Sequence, residues 1–354
     1  MKKDKLAARL LVFGGSGFIG SNFIRFILSK HRDWRVFNFD KLTYSGNKEN
    51  LKDIEKNPRY FFKKGDICDR QSVDAVFKSF DPHYIINFAA ETHVDKSIHV
   101  GALEFVHTNV EGVFNILEAV KNSATARKFA QVSTDEVYGE LPLDKPDEKF
   151  TENTSFHPNI PYSATKAAGD LLCGAYFNTW KVPVVVTHCS NNYGPYQYPE
   201  KLIPFFCARM LENKKLPLYG NGRNIRDWIY VLDHCRALEL CLLKGRSGET
   251  YNIGADNELT NLEIAKMILN HFKRDESWME FVEDRPGHDK RYAIDSSKIQ
   301  RELGWRTRYS FQGAFKLTLD WYINNKEWIE KVRRRTGVFN PHIDLWKGHK
   351  INNK

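Results

Sequence analysis

Seven residues, Gly14-Gly15-Ser16-Gly17-Phe18-Ile19-Gly20, set the frame for the rest of this chain. They follow the apolar run RLLVF at 9–13 and open a helical pattern near 18–30. Glycines at 14, 17 and 20 permit a tight turn, close backbone approach to a pyrophosphate, and close packing of helix on strand. The helix start then offers free N–H groups and the positive end of its dipole to phosphate. A lone glycine pattern is weak evidence, and its alternative is a structural turn with no ligand. Here the context adds weight. Asp40 ends the next apolar run, RVFNF at 35–39, and lies 20 residues past Gly20. A carboxylate there accepts hydrogen bonds from the adenosine ribose and repels a 2′-phosphate, so the spacing predicts NAD rather than NADP. Asp66, in GDICD, closes the third strand and serves either as an adenine contact or as a helix cap.

Short apolar runs recur at 84–89, 128–133 and 184–188, with helical patterns near 71–80, 101–121 and 161–180 between several of them. Strands alternating with helices predict a parallel sheet covered on both faces. Beyond 190 the texture changes to Pro/Gly/Asn-rich loops (NNYGPYQYP, LPLYGNGRN), with helices near 200–212, 231–244, 261–272 and 310–330. The expected fold is α/β: a Rossmann-type doubly wound parallel sheet with a smaller mixed α/β substrate-binding lobe. The lobe is interleaved with the end of the first domain, and no linker separates them.

The net charge of +9 suggests nucleic acid until it is located. Residues 1–9 and 326–354 together supply +8 of it, leaving the body near neutral. A nucleic-acid-binding surface would spread charge along a folded face, so basic solvated ends are the better reading. Six cysteines occur without C-x-x-C, which signals neither a zinc ribbon nor a redox pair, and no metal site is expected. They suit a reducing cytoplasm. The start, MKKDKLAARLLVFGG, resembles a signal peptide only superficially, because its short apolar run leads into the glycines. No run approaches the ~18 apolar residues of a membrane span.

Two clusters carry chemistry. Tyr162 and Lys166, in PYSATKAAGD, stand four apart after Pro161, which favours a helix start. On a helix that spacing puts both side chains on one face. A free phenol, with a pKa near ~10, is too weakly acidic to act as a base at neutral pH, and a neighbouring ammonium is expected to lower it. Thr134-Asp135-Glu136 follows the strand KFAQVS, beyond its carboxyl end, where ligands sit in open α/β sheets. Adjacent carboxylates on a loop are usually solvated or cap a helix. They also suit an elimination, which needs one proton given and one taken.

With these motifs in place the chain resembles the extended short-chain dehydrogenase/reductases and, within them, is similar to the dTDP-glucose 4,6-dehydratases. The likeness runs from about 9 to 325. It rests on GGSGFIGSNF, FDKLTYSGN, GDICD, FAAETHVDKSI, STDEVYGE, PYSATKAAGD, CSNNYGPYQYPEKLIP, LYGNGRNIRDWIYVLDHCRA and DRPGHDKRYAID. Thr-Asp-Glu at 134–136 is its most informative part. Epimerases of the superfamily carry small or neutral residues in place of Asp135 and Glu136. GDP-mannose dehydratases and UDP-glucuronate decarboxylases typically carry Ser in place of Asp135.

The resemblance implies a division of roles. Tyr162, with Thr134 and Lys166, would deprotonate the glucose 4-hydroxyl as hydride passes from C4 to NAD⁺. Glu136 would then remove the C5 proton while Asp135 protonates the departing 6-hydroxyl, and the hydride would return to C6. NAD is thereby regenerated and should stay bound. Its site would comprise Gly14, Gly17, Phe18, Ile19, Gly20, Asp40, Lys41, Thr43, Gly46, Asp66 and Ile67, with Tyr162 and Lys166. The substrate would meet Asn191, Lys201 and Leu202, with Pro217 and Tyr219 flanking its base. Arg226, Asn261, Arg285 and His288 would reach the diphosphate or ribose, arginine suiting phosphate through its planar fork. For Arg226 alone, an ion pair with Asp227 is the ordinary alternative.

The domains implied are 1–189 with about 225–256 for NAD, 190–224 with about 257–330 for the sugar nucleotide, and a basic tail over 331–354. The resemblance also implies a homodimer in which helices near 101–121 and 161–180 form a four-helix bundle. Leu171, Leu172, Ala175 and Tyr176 supply apolar residues at helical spacing there, though a subunit's own core explains them nearly as well. Phe13 stands where the family usually has Thr, and His188 is atypical and read as structural. UDP-glucose is the alternative substrate, since thymine and uracil differ by one methyl. A non-catalytic NAD(H)-binding regulator is the alternative of another class.

Overall fold

The computed structural model describes residues 8–99, 101–284 and 287–336. Its main sheet has seven strands, all parallel. In chain order they are β1 (Arg9–Phe13), β2 (Arg35–Asp40), β3 (Tyr60–Lys64), β4 (Tyr84–Asn87), β5 (Lys128–Thr134), β6 (Val184–Cys189) and β7 (Thr250–Ile253). Their spatial order is β7-β6-β5-β4-β1-β2-β3. The order reverses beside β1, and such a switch point opens a crevice at the strands' carboxyl ends.

β1 shows why the central strands are apolar throughout. Leu10 and Val12 pack with Phe23, Ile24 and Ile27 of the helix Phe18–Lys30 on one face. Leu11 and Phe13 pack on the other face with Val73 and Phe77 of the helix Arg70–Phe80. Side chains alternate across a strand, so a strand buried on both faces is apolar at every position. Phe13 lies against Phe39 at 5.6 Å and Phe77 at 6.5 Å. Its departure from the family pattern therefore falls in the core, and the Gly14 N–H still donates to the Phe39 carbonyl at 3.0 Å.

The first core runs unbroken into the second lobe through Phe206 and Cys207 of the helix Leu202–Leu211 and Ile264 of the helix Asn261–His271. The lobe holds a three-stranded sheet of Asn191–Tyr193, Ile225–Tyr230 and Glu258–Thr260, and a two-stranded sheet of Leu216–Tyr219 and Met279–Val282. Ile225–Tyr230 thus pairs outside the main sheet, although the following helix Val231–Lys244 packs in the same core as β5 and β6.

One expected helix carries a π-helical turn within it, and another is divided. Residues 101–121 contain Leu103–Val106, a π-helical turn His107–Glu111, and Gly112–Lys121. Residues 310–330 contain Phe311–Asn324 and the start of a further helix, Lys326–Thr336. The basic tail expected from 331 therefore opens as helix, with Trp328, Ile329 and Val332 buried. The remainder, 337–354, lies outside the described residues.

Candidate active site

The glycine turn has the shape a pyrophosphate needs. Gly14 adopts φ +71°, and a Cβ there would lie 2.4 Å from the Ala89 nitrogen. A Cβ on Gly20 would lie 2.6 Å from the Gly14 carbonyl oxygen, so helix and turn pack too closely for any side chain. At Gly17, by contrast, a Cβ would meet only the Gly14 oxygen, at 3.4 Å, so this glycine borders open space. Gly17 caps the helix without a side-chain hydrogen bond, and no acidic residue stands in the first turn. The helix start therefore keeps its positive character for an outside anion. The residues present fit a dinucleotide.

Asp40 ends β2 with its carboxylate buried. One oxygen accepts from the Ser16 N–H at 2.8 Å and the other from the Leu42 N–H at 2.7 Å. Burial raises its pKa against these bonds. Asp40 thus anchors the glycine turn as well as bordering the cleft. It lines one cavity with Gly14, Gly17, Lys41, Thr43, Gly46, Asp66 and Ile67, as well as Ser45 and Gly65. Asp66 pairs with Lys41 at 2.7 Å and accepts from the Cys68 N–H at 3.0 Å. It caps no helix, because Asp69 accepts from the Ser72 N–H at the start of Arg70–Phe80.

The chemical residues line the adjoining cavity together: Thr134, Asp135, Glu136, Tyr162 and Lys166, beside Gly14, Gly17, Phe18, Ile19 and Gly20. Thr134 ends β5, and its hydroxyl accepts from the Glu136 N–H at 3.3 Å, turning Asp135–Tyr138 into one 3₁₀ turn. That turn carries both carboxylates to the strand's carboxyl end. Asp135 is 2% exposed. Its Oδ2 has no hydrogen-bond partner among the described residues. Burial, then Glu136 and Asp227, push its carboxyl well above the usual range, which favours the neutral acid.

Pro161 begins the helix Pro161–Trp180, and Tyr162 and Lys166 are both buried on it. The Lys166 ammonium donates to the Val132 carbonyl at 2.8 Å. Burial pushes Lys166 down, and the Asp170 carboxylate one turn on pulls it back up. The expected lowering of the Tyr162 phenol is not found. Burial raises it, and the carboxylates of Glu136 and Asp135 raise it further, while hydrogen bonding to Thr134 works the other way. Beneath this pair, Asp170 accepts from Ser133 Oγ at 2.5 Å and meets His188 Nε2 at 3.1 Å. His188 Nδ1 lies 2.6 Å from the Tyr138 hydroxyl. His188 is thus part of a buried polar support that includes a residue one turn from Lys166.

A third cavity continues from the catalytic one through Glu136, Asn191, Glu200 and Lys201. It gathers Asn191, Lys201, Leu202, Pro217, Tyr219, Arg226, Asn261 and His288 along one wall set. Arg285 lies outside the described residues. Arg226 donates to the Asp289 carbonyl at 2.8 Å and sits 4.2 Å over the Tyr292 ring. Asp227 instead accepts from the Ala255 and Asn257 N–H groups, so the two form no ion pair of the kind considered from sequence. Thr92, His93, Glu200, Trp228 and Tyr292 also line the cleft and were missed. Thr92 and His93 belong to FAAETHVDKSI, Glu200 to the segment holding Lys201, and Trp228 to the one holding Arg226. Spacing gave no reason to separate them from their neighbours.

Among the described residues no helix is long and apolar enough to cross a membrane. A family model described as GDP-mannose 4,6 dehydratase matches residues 11–318. A dTDP-glucose 4,6-dehydratase of Haemophilus influenzae is 47% identical over 335 residues, covering 89% of this chain and 98% of that protein. The solved dTDP-glucose 4,6-dehydratase of Bacillus anthracis, in complex with NAD, superposes with a TM-score of 0.86 at 47% identity, covering 92% of this chain and 100% of that one. The Streptomyces venezuelae enzyme of the same name, with NAD and TYD bound, gives 0.87 at 44% identity over 92% and 99%.

Proposed function

This chain belongs to the family matched by that model and, within it, to the dTDP-glucose 4,6-dehydratases, and from that membership we propose how its own residues divide the reaction. The chain is a hydro-lyase that converts dTDP-glucose to dTDP-4-keto-6-deoxyglucose with NAD. The observation that carries the division is one cleft holding the glycine turn, Tyr162 with Lys166, and both carboxylates of the Asp135–Tyr138 turn. Bound NAD supplies a hydride acceptor at C4, a hydride donor at C6, and a positive ring when oxidised.

Tyr162 takes the proton from the 4-hydroxyl, with Thr134 holding the phenol and Lys166 supplying positive charge from the same helix face. The 4-ketone acidifies the C5 proton, which Glu136 removes. Asp135, kept as a neutral acid by burial, gives its proton to the 6-hydroxyl, which leaves as water. Glu136 then returns a proton to C5 as hydride reaches C6. In the third cavity, Pro217 and Tyr219 flank the base, and Arg226, Asn261 and His288 serve the diphosphate and ribose.

The test offers dTDP-, UDP- and GDP-glucose to the purified protein and follows product by mass. A product 18 mass units lighter, formed about tenfold or more faster from dTDP-glucose, is expected. Equal or faster turnover of UDP-glucose would move the substrate assignment, and no product from any sugar would leave the regulator.

The assembly is a homodimer in this proposal. Leu103, Val106 and Phe114 remain 69%, 44% and 42% exposed, and Leu171 and Trp180 of the neighbouring helix 65% and 53%. Two adjacent helices with apolar outer faces suit a bundle with a second copy. Tyr176 belongs to the subunit's own core, its hydroxyl donating to Glu118 at 2.8 Å. Six unbridged cysteines suit a cytoplasmic location, which fractionation of the producing cells checks.

A further inference from the structure

The cofactor cavity has a wall that the chemistry does not account for. Thr43, Ser45 and Gly46 line it together with Gly14 and Gly17, and Ser45 also borders the catalytic cavity. Those residues form an irregular loop between β2 and the 3₁₀ segment Lys48–Ile54. An irregular loop of this kind opens readily unless something ties its backbone. The tie comes from the far end of the chain. Arg335, in the last turn of the helix Lys326–Thr336, donates from Nη1 to the carbonyls of Thr43 at 3.1 Å and Gly46 at 2.7 Å. Its Nη2 donates to the Tyr44 carbonyl at 2.7 Å. One planar guanidinium thus gathers three carbonyls of a four-residue loop.

The helix that presents Arg335 is itself fixed at several points. Trp328 donates from Nε1 to Asn50 Oδ1 at 2.9 Å, while Asn50 Nδ2 donates to the Ser16 carbonyl of the glycine turn at 2.9 Å. At the other end the Tyr198 hydroxyl donates to Thr336 Oγ1 at 2.6 Å. The helix Lys326–Thr336 therefore touches the phosphate turn through Asn50 and the loop beside Asp40 through Arg335. By contrast, Arg334 is 81% exposed and pairs only loosely with Glu330, at 3.7 Å.

We propose that Arg335 is a positioning residue for cofactor retention: it holds the Thr43–Gly46 loop closed over the dinucleotide, so that NAD dissociates slowly between turnovers. This rests on reading the cavity as the NAD site. A reaction that regenerates its cofactor gains nothing from releasing it. Hydrogen bonds from a charged donor are worth more than neutral ones, and opening the loop breaks three of them together.

The test uses the full-length chain as wild type, Arg335→Gln, Arg335→Lys and Arg334→Gln. NAD per chain is measured after gel filtration by acid release, and the dissociation rate by chasing labelled NAD with unlabelled. Arg335→Gln is expected to raise the dissociation rate by ~10–100-fold and to emerge largely without NAD. Its KM for added NAD should rise far more than its kcat falls. Arg335→Lys, with one compact donor, should lie between it and wild type, and Arg334→Gln should match wild type. Melting of the NAD-free proteins separates retention from a merely structural role, since the NAD-free Arg335→Gln should melt near the NAD-free wild type. Unchanged dissociation from Arg335→Gln, with or without a lowered melting point, would overturn the proposal. Should Arg335→Gln fail to fold, an Arg335→Lys protein that releases NAD no faster than wild type overturns it equally. A wild type that neither carries nor binds NAD would instead overturn the reading of the cavity, and the proposal with it.

Discussion

At single residues, the chemistry separates groups that act before the 4-ketone exists from groups that act after it. Tyr162→Phe should lose nearly all turnover, including transient NADH. Glu136→Gln keeps size and hydrogen bonding but cannot take the C5 proton, so it should form NADH, stall there, and lose ~10²–10⁴ in overall rate. Asp135→Asn should let C5 exchange in deuterated water while water loss slows. Single-turnover absorbance at the NADH band, read beside product mass, distinguishes the three, and a Glu136→Gln enzyme running at wild-type rate would remove Glu136 as the base. The two steps should also respond oppositely to pH. Asp135 acts as an acid whose pKa burial has raised, so elimination should slow as pH climbs through that raised value and the proton is lost. Tyr162 acts as a base whose phenol is likewise pushed up, so NADH formation should speed up over the same direction. Rapid-mixing traces in which both phases slow together on the alkaline side would contradict this pairing.

Among the elements, the helices Leu103–Val106, Gly112–Lys121 and Pro161–Trp180 carry the next test. Leu103→Glu with Leu171→Glu places charge on the two most exposed apolar positions of the proposed bundle. Sedimentation should show the wild type as a dimer at micromolar concentration and the double variant weakened about 100-fold or more. A wild-type monomer at that concentration removes the dimer. These helices also show what pattern can and cannot reveal. The bounds of β1 and of Pro161–Trp180 follow directly from the run RLLVF and from Pro161, because both signals are local. The π-helical turn at His107–Glu111 has no local signal. It accompanies the Asn109 side chain, whose Nδ2 donates to the Glu91 carbonyl at 3.1 Å and to Thr165 Oγ1 at 3.0 Å. The same turn brings the Asn109 carbonyl against Gly169, where a Cβ would lie 2.6 Å away. Such a demand comes from packing between segments distant in sequence. For the same reason Thr134, Tyr162 and the glycine turn were legible as motifs, whereas Tyr292 against Arg226 and Arg335 against the Thr43–Gly46 loop depend on chain return.

For the whole molecule, acid stability is a contest between buried groups of opposite sign. His234 is fully buried on the helix Val231–Lys244, with Nδ1 2.9 Å from Asn192 Oδ1. Its Nε2 has no partner among the described residues. Burial lowers its pKa from 6.5 to about 3. The unfolded chain therefore binds a proton that the native one refuses, and its stabilising contribution is complete above about 6.5 and drains away as pH falls toward about 3. Asp227 works the other way. Burial raises it from 3.8 to about 6, so the native state holds the extra proton, and that contribution is complete below 3.8 and lost as pH rises through about 6. Asp135, also raised, adds to the same side. Between about pH 4 and 6 the terms offset, and the wild-type stability curve alone will understate each. Replacing His234 by Gln removes one side of the balance. The variant will be less stable near neutrality through lost packing, but the gap between it and wild type should narrow on acidification. The expected slope of that difference is ~1.4 kcal/mol per pH unit between about 6 and 4. Urea denaturation midpoints of both proteins across that range measure it, and a gap that stays constant with pH would mean that His234 takes up its proton in the folded state.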